Sequence, residues 1–298
     1  MDQSRITFIA SALVVGSGVL WGFYWLPVRA LTQAGLPGAW GTLAITAGAS
    51  ILLLPFALRH RQNLRTASPV AIAAVALGGC AFALYSIGFV YGRVAIIILL
   101  FFLTPVWSTL IGRYVFGWHT PPMRVAAIIV GLIGLAIMLS ANGDWPIPRN
   151  TGEWMALVSG ILWSIGSTGM RTKSTLEPVA AAFLFALGAA ITSLMIALVL
   201  APFPNLASYS AISAIALGTG GLWWGITIVG LMWATVRLEP ARVGILLMSE
   251  VLIGAASAAI IAGEHLSTLE IIGGALVLCA GILEIWPIKE PRPAPRRS

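Results

Sequence analysis

Residues 18–29 read GVLWGFYWLPVR, and residues 160–171 read GILWSIGSTGMR. Gly18, Leu20, Trp21 and Arg29 recur as Gly160, Leu162, Trp163 and Arg171, an offset of 142 residues in a chain of 298. A weaker echo lies elsewhere: FFLTPVWSTLIGRYVFGWH, starting at Phe101, resembles LLMSEVLIGAASAAIIAGEH, starting at Leu246. A segment written twice at half the chain length points to two copies of one structural unit. The nature of that unit depends on the solvent around it.

Composition decides the solvent. The chain is 59% hydrophobic and 9% charged, with a mean hydropathy of +0.95. A soluble domain carries about 25% charged residues, so this chain has too few charges to cover a water-facing surface. Crossing a bilayer core in helical form takes on the order of 20 apolar residues. Only helices and closed barrels satisfy their backbone there. Barrel strands alternate in polarity over about ten residues, whereas runs such as VAAAFLFALGAAITSLMIALVL are apolar throughout. The predicted class is an all-α integral membrane protein.

Apolar runs between polar punctuation predict ten transmembrane helices, at 6–28, 37–58, 69–91, 94–116, 122–141, 153–172, 178–201, 209–233, 240–263 and 267–287. Pro37, Pro69, Pro122, Pro178 and Pro240 stand at entrances, where the missing N–H costs nothing. Basic loops are retained in the cytoplasm, and the threading places fourteen of the seventeen Lys and Arg residues on the side of the N-terminus. Only Arg29, Arg93 and Arg149 fall opposite. Both termini are therefore expected in the cytoplasm, with MDQSR leading into a retained first span.

The repeat pairs span one with span six, so each unit holds five helices. An odd number of crossings makes the second unit enter the membrane from the other face. The expected plan is two inverted five-helix repeats, 1–145 and 146–288, followed by a basic disordered tail, 289–298. Inverted repeats are the plan of many secondary transporters, with the substrate near the midplane between the halves.

The ten-span, two-repeat pattern, the LW near the ends of spans one and six, the LTP of span four and GEHLSTLEIIGGALVLCAGI through span ten resemble the drug/metabolite transporter superfamily of EamA type. Within it the aromatic-rich interior is most similar to the aromatic amino-acid exporters. The resemblance covers nearly the whole chain. It implies an exporter of aromatic or neutral hydrophobic amino acids and related amphipathic metabolites in a bacterial inner membrane. Two positions depart from the pattern. Val251 follows Glu250 where a Pro commonly stands, and Gly117-Trp118 stands in the first half where the second has Gly263-Glu264.

The residues themselves narrow the chemistry. No Lys or Arg falls near the middle of a predicted span, which argues against phosphates and nucleotide sugars, whose charge calls for cations. Aromatic and sulfur side chains stand at mid-depth instead: Trp21, Trp25, Tyr85, Phe89, Trp107, Trp163, Trp224 and Met248, with Ser164 as a polar neighbour. Rings of this kind suit a solute with an apolar face of its own. Packing between helices accounts for the same residues equally well. Trp40, Trp118, Trp145, Trp154 and Trp286 sit at span ends and read as an interfacial belt. Without an internal cation, a substrate carboxylate would rely on backbone N–H groups or on the hydroxyls of Thr104, Ser164 and Ser167.

Glu250 is the one carboxyl near the middle of a span, where an ionised group costs about 3 kcal/mol or more. It reads as a proton-coupling site, as a partner for a substrate ammonium, or as a structural carboxyl bonded to Ser or Thr hydroxyls. Glu264 and Glu270 lie near span ends, within expected reach of water. Small-residue pairs Gly18/Gly22, Gly88/Gly92 and Gly221/Gly225 mark close helix packing or sliding surfaces, and Pro105 marks a hinge in span four.

Other classes fare worse. The histidines, His60, His119 and His265, are at span ends, and no nucleophile–base spacing appears, so no enzyme is expected. Cys80 and Cys279 read as small buried hydrophobes, leaving no disulfide framework and no metal site. No cofactor is expected. The net charge of +7 is dispersed over juxtamembrane loops, which explains it without nucleic acid. The expected partners are the bilayer and a small-molecule substrate, and nothing implies an oligomer. The competing function is a multidrug exporter of lipophilic cations, with Glu250 and cation–π contacts holding the charge.

Overall fold

The computed structural model describes residues 3–115, 117, 121–141, 143, 145–173, 176–204, 209–235, 237–238 and 240–285. The expected tail 289–298 lies outside the described residues, as do Trp118, His119 and Trp286.

Apolar runs without water have to satisfy their backbone internally, and helices are the result. In the first half they are α1 (Gln3–Gly22), α2 (Trp25–Gln33), α3 (Ala39–Arg59), α4 (Arg61–Thr66), α5 (Pro69–Tyr91), α6 (Val94–Phe101), α7 (Thr104–Tyr114) and α8 (Pro122–Leu139). The second half holds α9 (Thr151–Lys173), α10 (Pro178–Leu200), α11 (Tyr209–Thr219), a π-helix (Gly220–Thr227), α12 (Ile228–Thr235), α13 (Pro240–Leu247), α14 (Ser249–Ile260) and α15 (Thr268–Ile285). No strand occurs among the described residues.

Among the described residues, seven segments are long and apolar enough to cross a membrane: Ser4–Gln33, Ala39–Arg59, Pro69–Tyr91, Val94–Tyr114, Pro122–Leu139, Pro178–Leu200 and Ser210–Ala234. The chain is a multi-pass membrane protein. Ser249–Ile260 and Thr268–Leu283 are apolar but shorter. Helix α9 spans 23 residues but dilutes its apolar content with Glu153 and several Ser, Thr and Gly residues.

Three segments expected as single helices are broken. In the first, Pro27 cannot donate to the carbonyl four residues back, so α1 ends and a tight turn passes Tyr24 N–H to Trp21 O at 3.0 Å. In the fourth, Pro105 does the same to Phe101, and the Thr104 hydroxyl donates to the abandoned Phe101 carbonyl at 2.6 Å. Pro105 is thus an N-terminal residue of α7 rather than a kink inside one helix. The expected ninth span breaks at Met248 without a proline. There the Ser249 hydroxyl donates to Leu246 O at 2.8 Å.

The packing pairs are α5 with α9, α8 with α15, α10 with both α3 and α5, and α1 with α14. Small residues set these approaches. A Cβ at Gly79 would lie 1.9 Å from Phe185 O, and one at Gly188 would lie 2.5 Å from Ala76 O. Backbones this close gain dispersion contacts that lipid cannot supply. One end of the bundle gathers the ends of α2, α5 and α14 with the starts of α6, α9 and α15, and is called the far end below. The near end gathers the starts of α1 and α13 with the end of α12, joined through Ala10, Val14, Ala234, Leu238 and Val243.

Candidate functional site

The breaks in the helices are where the site forms. Between them lies a cavity of about 170 Å³. Its rings are Trp21 from α1, Phe82 from α5, Phe101 and Phe102 at the α6–α7 break, and Trp163 from α9. Thr104 and Pro105 open α7 beside it, and Leu247, Met248 and Glu250 flank the α13–α14 break. Leu231, Val277, Leu278 and Gly281 complete the wall.

Phe82 is the hub of the aromatic wall. Its ring meets Trp21 at 5.0 Å, Trp163 at 5.0 Å and Phe101 at 5.4 Å, all edge-on. Edge-to-face pairs put positive ring edges on negative ring faces, so the wall holds its shape without filling the cavity. Phe185 and Trp224 stand behind it, Phe185 at 5.1 Å from Phe82.

Glu250 is the one carboxyl in the lining and is 6% exposed. Tyr85 OH donates to its Oε1 at 2.8 Å. Tyr85 is fully buried, its ring held by Phe101 at 4.6 Å and Phe89 at 4.7 Å. A rigid phenol thus fixes one carboxyl oxygen. Glu250 also stands in the first turn of α14, where the helix dipole favours negative charge.

Among the residues predicted for the site, Trp21, Trp163, Met248, Glu250 and Pro105 line the cavity. Tyr85, Phe89 and Trp224 are buried behind its wall. Trp224 Nε1 donates to Tyr24 OH at 2.9 Å, and Tyr24 OH in turn lies 3.0 Å from Ser86 Oγ. Trp25 is turned toward the α14 backbone side, where its Nε1 donates to Ser257 Oγ at 2.9 Å. Trp107 is half-buried against the core, with its Nε1 unpaired among the described residues.

The proposed hydroxyls are already engaged. Ser164 Oγ bonds Gly160 O at 2.8 Å and Thr104 O at 3.0 Å, Ser167 Oγ reaches Ser164 O at 3.3 Å, and Thr104 Oγ1 serves Phe101 O. Each donor is spent on a carbonyl, which leaves little for a substrate carboxylate. Glu250 meets a phenol, not the Ser or Thr hydroxyls that its reading as a structural carboxyl called for.

The glycine pairs divide. A Cβ at Gly18 would fall 2.2 Å from Ser249 Oγ, at the α13–α14 break, and one at Gly22 would fall 2.9 Å from Gly254 N, inside α14. A Cβ at Gly92 would be tight against Ile97, and one at Gly88 would lie 3.2 Å from Gly152 O. A Cβ at Gly221 would meet only the Leu52 side-chain tip, at 3.3 Å, and one at Gly225 would make an ordinary contact of 3.6 Å with Gly220 O. Their neighbour Gly220 is the residue that crosses α3, at 2.6 Å from Ile45 O. The π-helix explains the shift, because its wider turn rotates the small face away from a regular i, i+4 stripe.

Sequence reading missed Phe101, Phe102 and the α15 residues. The first two were findable, since they directly precede the Leu-Thr-Pro break. The Glu250–Tyr85 pair, 165 residues apart, left no local signal. Glu264 and Glu270 are also less accessible than expected: their side chains are 10% and 3% exposed, each in an ion pair with an arginine.

Fold and site together define a polytopic helical membrane protein with a ring-lined interior cavity holding one carboxyl. The model of the EamA-like transporter family matches residues 8–140, a little under half of the chain. A solved structure described as "Crystal structure of protein" shares 19% identity over 95% of this chain and 96% of its own, with a TM-score of 0.58. That likeness concerns the fold. No curated protein matches the chain.

Proposed function

We propose that this chain is a secondary transporter, not an enzyme, working by alternating access between two inverted five-helix repeats, 1–145 and 146–288. Both termini would face the cytoplasm of a bacterial inner membrane. Several observations support the repeat. The family match, 8–140, falls within the first unit. Exchanging the units turns α5–α9 packing into α12–α1 packing, and α14–α1 packing into packing of α6 and α7 on α9, and all of these pairs occur. The opening repeat also gains a reason. Gly18 packs on the α13–α14 break, Gly160 packs on Phe101 at the α6–α7 break, and Trp21 and Trp163 both line the cavity.

The single observation that carries the function is that cavity, walled by five aromatic side chains and one carboxyl drawn from both units. It suits an amphipathic solute with a ring and an ammonium group. Export of aromatic and neutral hydrophobic amino acids is the first reading, with the ring against Phe82 and the ammonium on Glu250. Export of lipophilic cations is the second. It is favoured by the hydroxyls' engagement with carbonyls, because a cation without a carboxylate needs no donor in the wall.

Counterflow in proteoliposomes, with and without a pH gradient, tests both. Labelled phenylalanine displaced by unlabelled tryptophan and not by a quaternary dye supports the first reading, and the reverse supports the second. Trp163→Ala should abolish this counterflow while leaving the folded protein intact. Unchanged counterflow would remove Trp163 from the site.

A further inference from the structure

The far end of the bundle carries a set of charges that the cavity does not use. Glu264, in the loop between α14 and α15, accepts from Val94 N at 2.9 Å and Ala95 N at 3.2 Å, the first amides of α6. A carboxylate on free helix amides satisfies donors that would otherwise be orphaned. Arg29 at 3.2 Å completes its shell and donates also to Phe89 O and Gly92 O, at the end of α5. Beside it, Arg93 donates to Glu270 Oε1 and to His265 O, both at 2.6 Å. Glu270 is anchored through its Oε2 to Ser267 N at 2.8 Å, at the entrance of α15. The bonds that Glu264, His265 and Glu270 accept from Arg29, Arg93 and the α6 amides all join the first half of the chain to the second.

The helices beneath follow the same division. Helix α6 packs closely on α14, and a Cβ at Gly254 would fall 2.2 Å from Ile98 Cδ1. At the near end no packing of comparable extent joins α7 to α13 among the described residues. The two broken spans therefore meet at the far end and diverge toward the near end, with the cavity at their fork.

Sequence explains why the two ends differ. Gly117 and Gly263 stand at matching positions, both with φ of +65°, a backbone that glycine adopts readily. The next residue is Glu264 in one half and Trp118 in the other. The amide of Ala95 has as its counterpart Pro240, 145 residues on, which has no N–H to offer. At these two positions the sequence of the near end thus offers neither the carboxylate nor the amide that the far-end clasp uses.

We propose that Glu264, Arg29, Arg93 and Glu270 form a far-end latch that biases the carrier toward the state open at the near end. Opening at the far end requires Glu264 to leave the α6 amides. The proposal rests on the alternating-access reading, and it adds a built-in asymmetry between the two open states. Removing an interaction present in one state alone shifts the population by its full free energy.

The test is thiol labelling in reconstituted full-length protein with Cys80→Ser and Cys279→Ser. Reporters are Ile98→Cys between α6 and α14, and Leu247→Cys at the cavity's near side. Impermeant maleimide is applied separately to each face, without substrate. Glu264→Gln should raise labelling of the Ile98→Cys thiol from the far face by about tenfold and lower that of the Leu247→Cys thiol from the near face. Arg93→Gln should act in the same direction while sparing the α6 amides, and it decides the matter if Glu264→Gln fails to insert. Unchanged rates in both variants would overturn the latch. A rise at both reporters would also overturn it, since that signals loosened packing rather than exchange between states. Because no substrate is present, an error in substrate class leaves this result readable.

Discussion

Two of the broken spans, the fourth and the ninth, solve one problem with different side chains. At the α6–α7 break Thr104 sends its hydroxyl three residues back to Phe101 O, and at the α13–α14 break Ser249 does the same to Leu246 O. The two breaks are 145 residues apart and superpose in this detail. They diverge at the next residue, which is Pro105 in one half and Glu250 in the other. One half spends the position on a residue that stops a helix, and the other on a residue that carries charge. Two breaks held by the same hydroxyl-to-carbonyl bond thus differ in what the next position supplies, a helix stop in one and a carboxyl in the other.

The sharpest way to break this comparison is to neutralise the chemical copy. Glu250→Gln preserves size and the contact with Tyr85 but removes the charge. If it pairs with a substrate ammonium, counterflow of labelled phenylalanine should fall by about 100-fold, the loss expected when a buried charge pair loses one member. A variant that transports normally would reduce Glu250 to a structural carboxyl. The next effect concerns closure. Gly254 stands at the register of Thr109, the residue 145 positions earlier. Gly254→Thr makes the halves alike, and the added atoms meet Ile98 Cδ1 and Gly22 Cα. Overpacking costs about 1–3 kcal/mol, so transport should slow by about tenfold, with thiol labelling near Ile98 showing α6 held away from α14.

Much of the architecture was legible because lipid imposes few solutions. Continuous apolar runs and the entrance prolines were enough to place most of the helices. What was not legible involves partners distant in sequence. Glu250 stood out by its depth, yet nothing local paired it with Tyr85, or Glu264 with the amides of Val94 and Ala95. Depth also misled for Trp25 and Trp224, whose indole N–H groups found buried hydroxyls and turned the rings into packing. The π-helix displaced the close crossing from Gly221 to Gly220, which periodicity at 3.6 residues cannot foresee.

A smaller effect separates the carboxyl from its support. Tyr85→Phe keeps the ring contacts with Phe89 and Phe101 and deletes one hydrogen bond to Glu250 Oε1. A hydrogen bond to a charged group contributes about 1.5 kcal/mol at the low end, so the apparent affinity for an ammonium solute should weaken by about tenfold. The maximal rate should change little, because the phenol orients the carboxyl rather than meeting the solute. An equal loss in Glu250→Gln and in the Glu250→Gln/Tyr85→Phe double variant would show that Tyr85 acts through Glu250. Independent, multiplying losses would place the phenol on the substrate.

The smallest effect is expected at Pro105, despite its position as the evident break signal. Proline in the first turn of a helix forgoes an N–H that lacks an intrahelical partner there. Pro105→Ala would add a donor near Phe101 O, but the Thr104 hydroxyl already occupies that carbonyl at 2.6 Å. The opposite break supports this reasoning, since it persists at Met248 with no proline nearby, held by Ser249 alone. Thermal unfolding in detergent should therefore move by less than about 1 kcal/mol for Pro105→Ala, within the range of proline effects acting through the unfolded chain. A larger loss, or a continuous helix through Phe102 and Leu103, would mean that proline makes the first break and the hydroxyl only decorates it. The two breaks would then share a shape without sharing a cause.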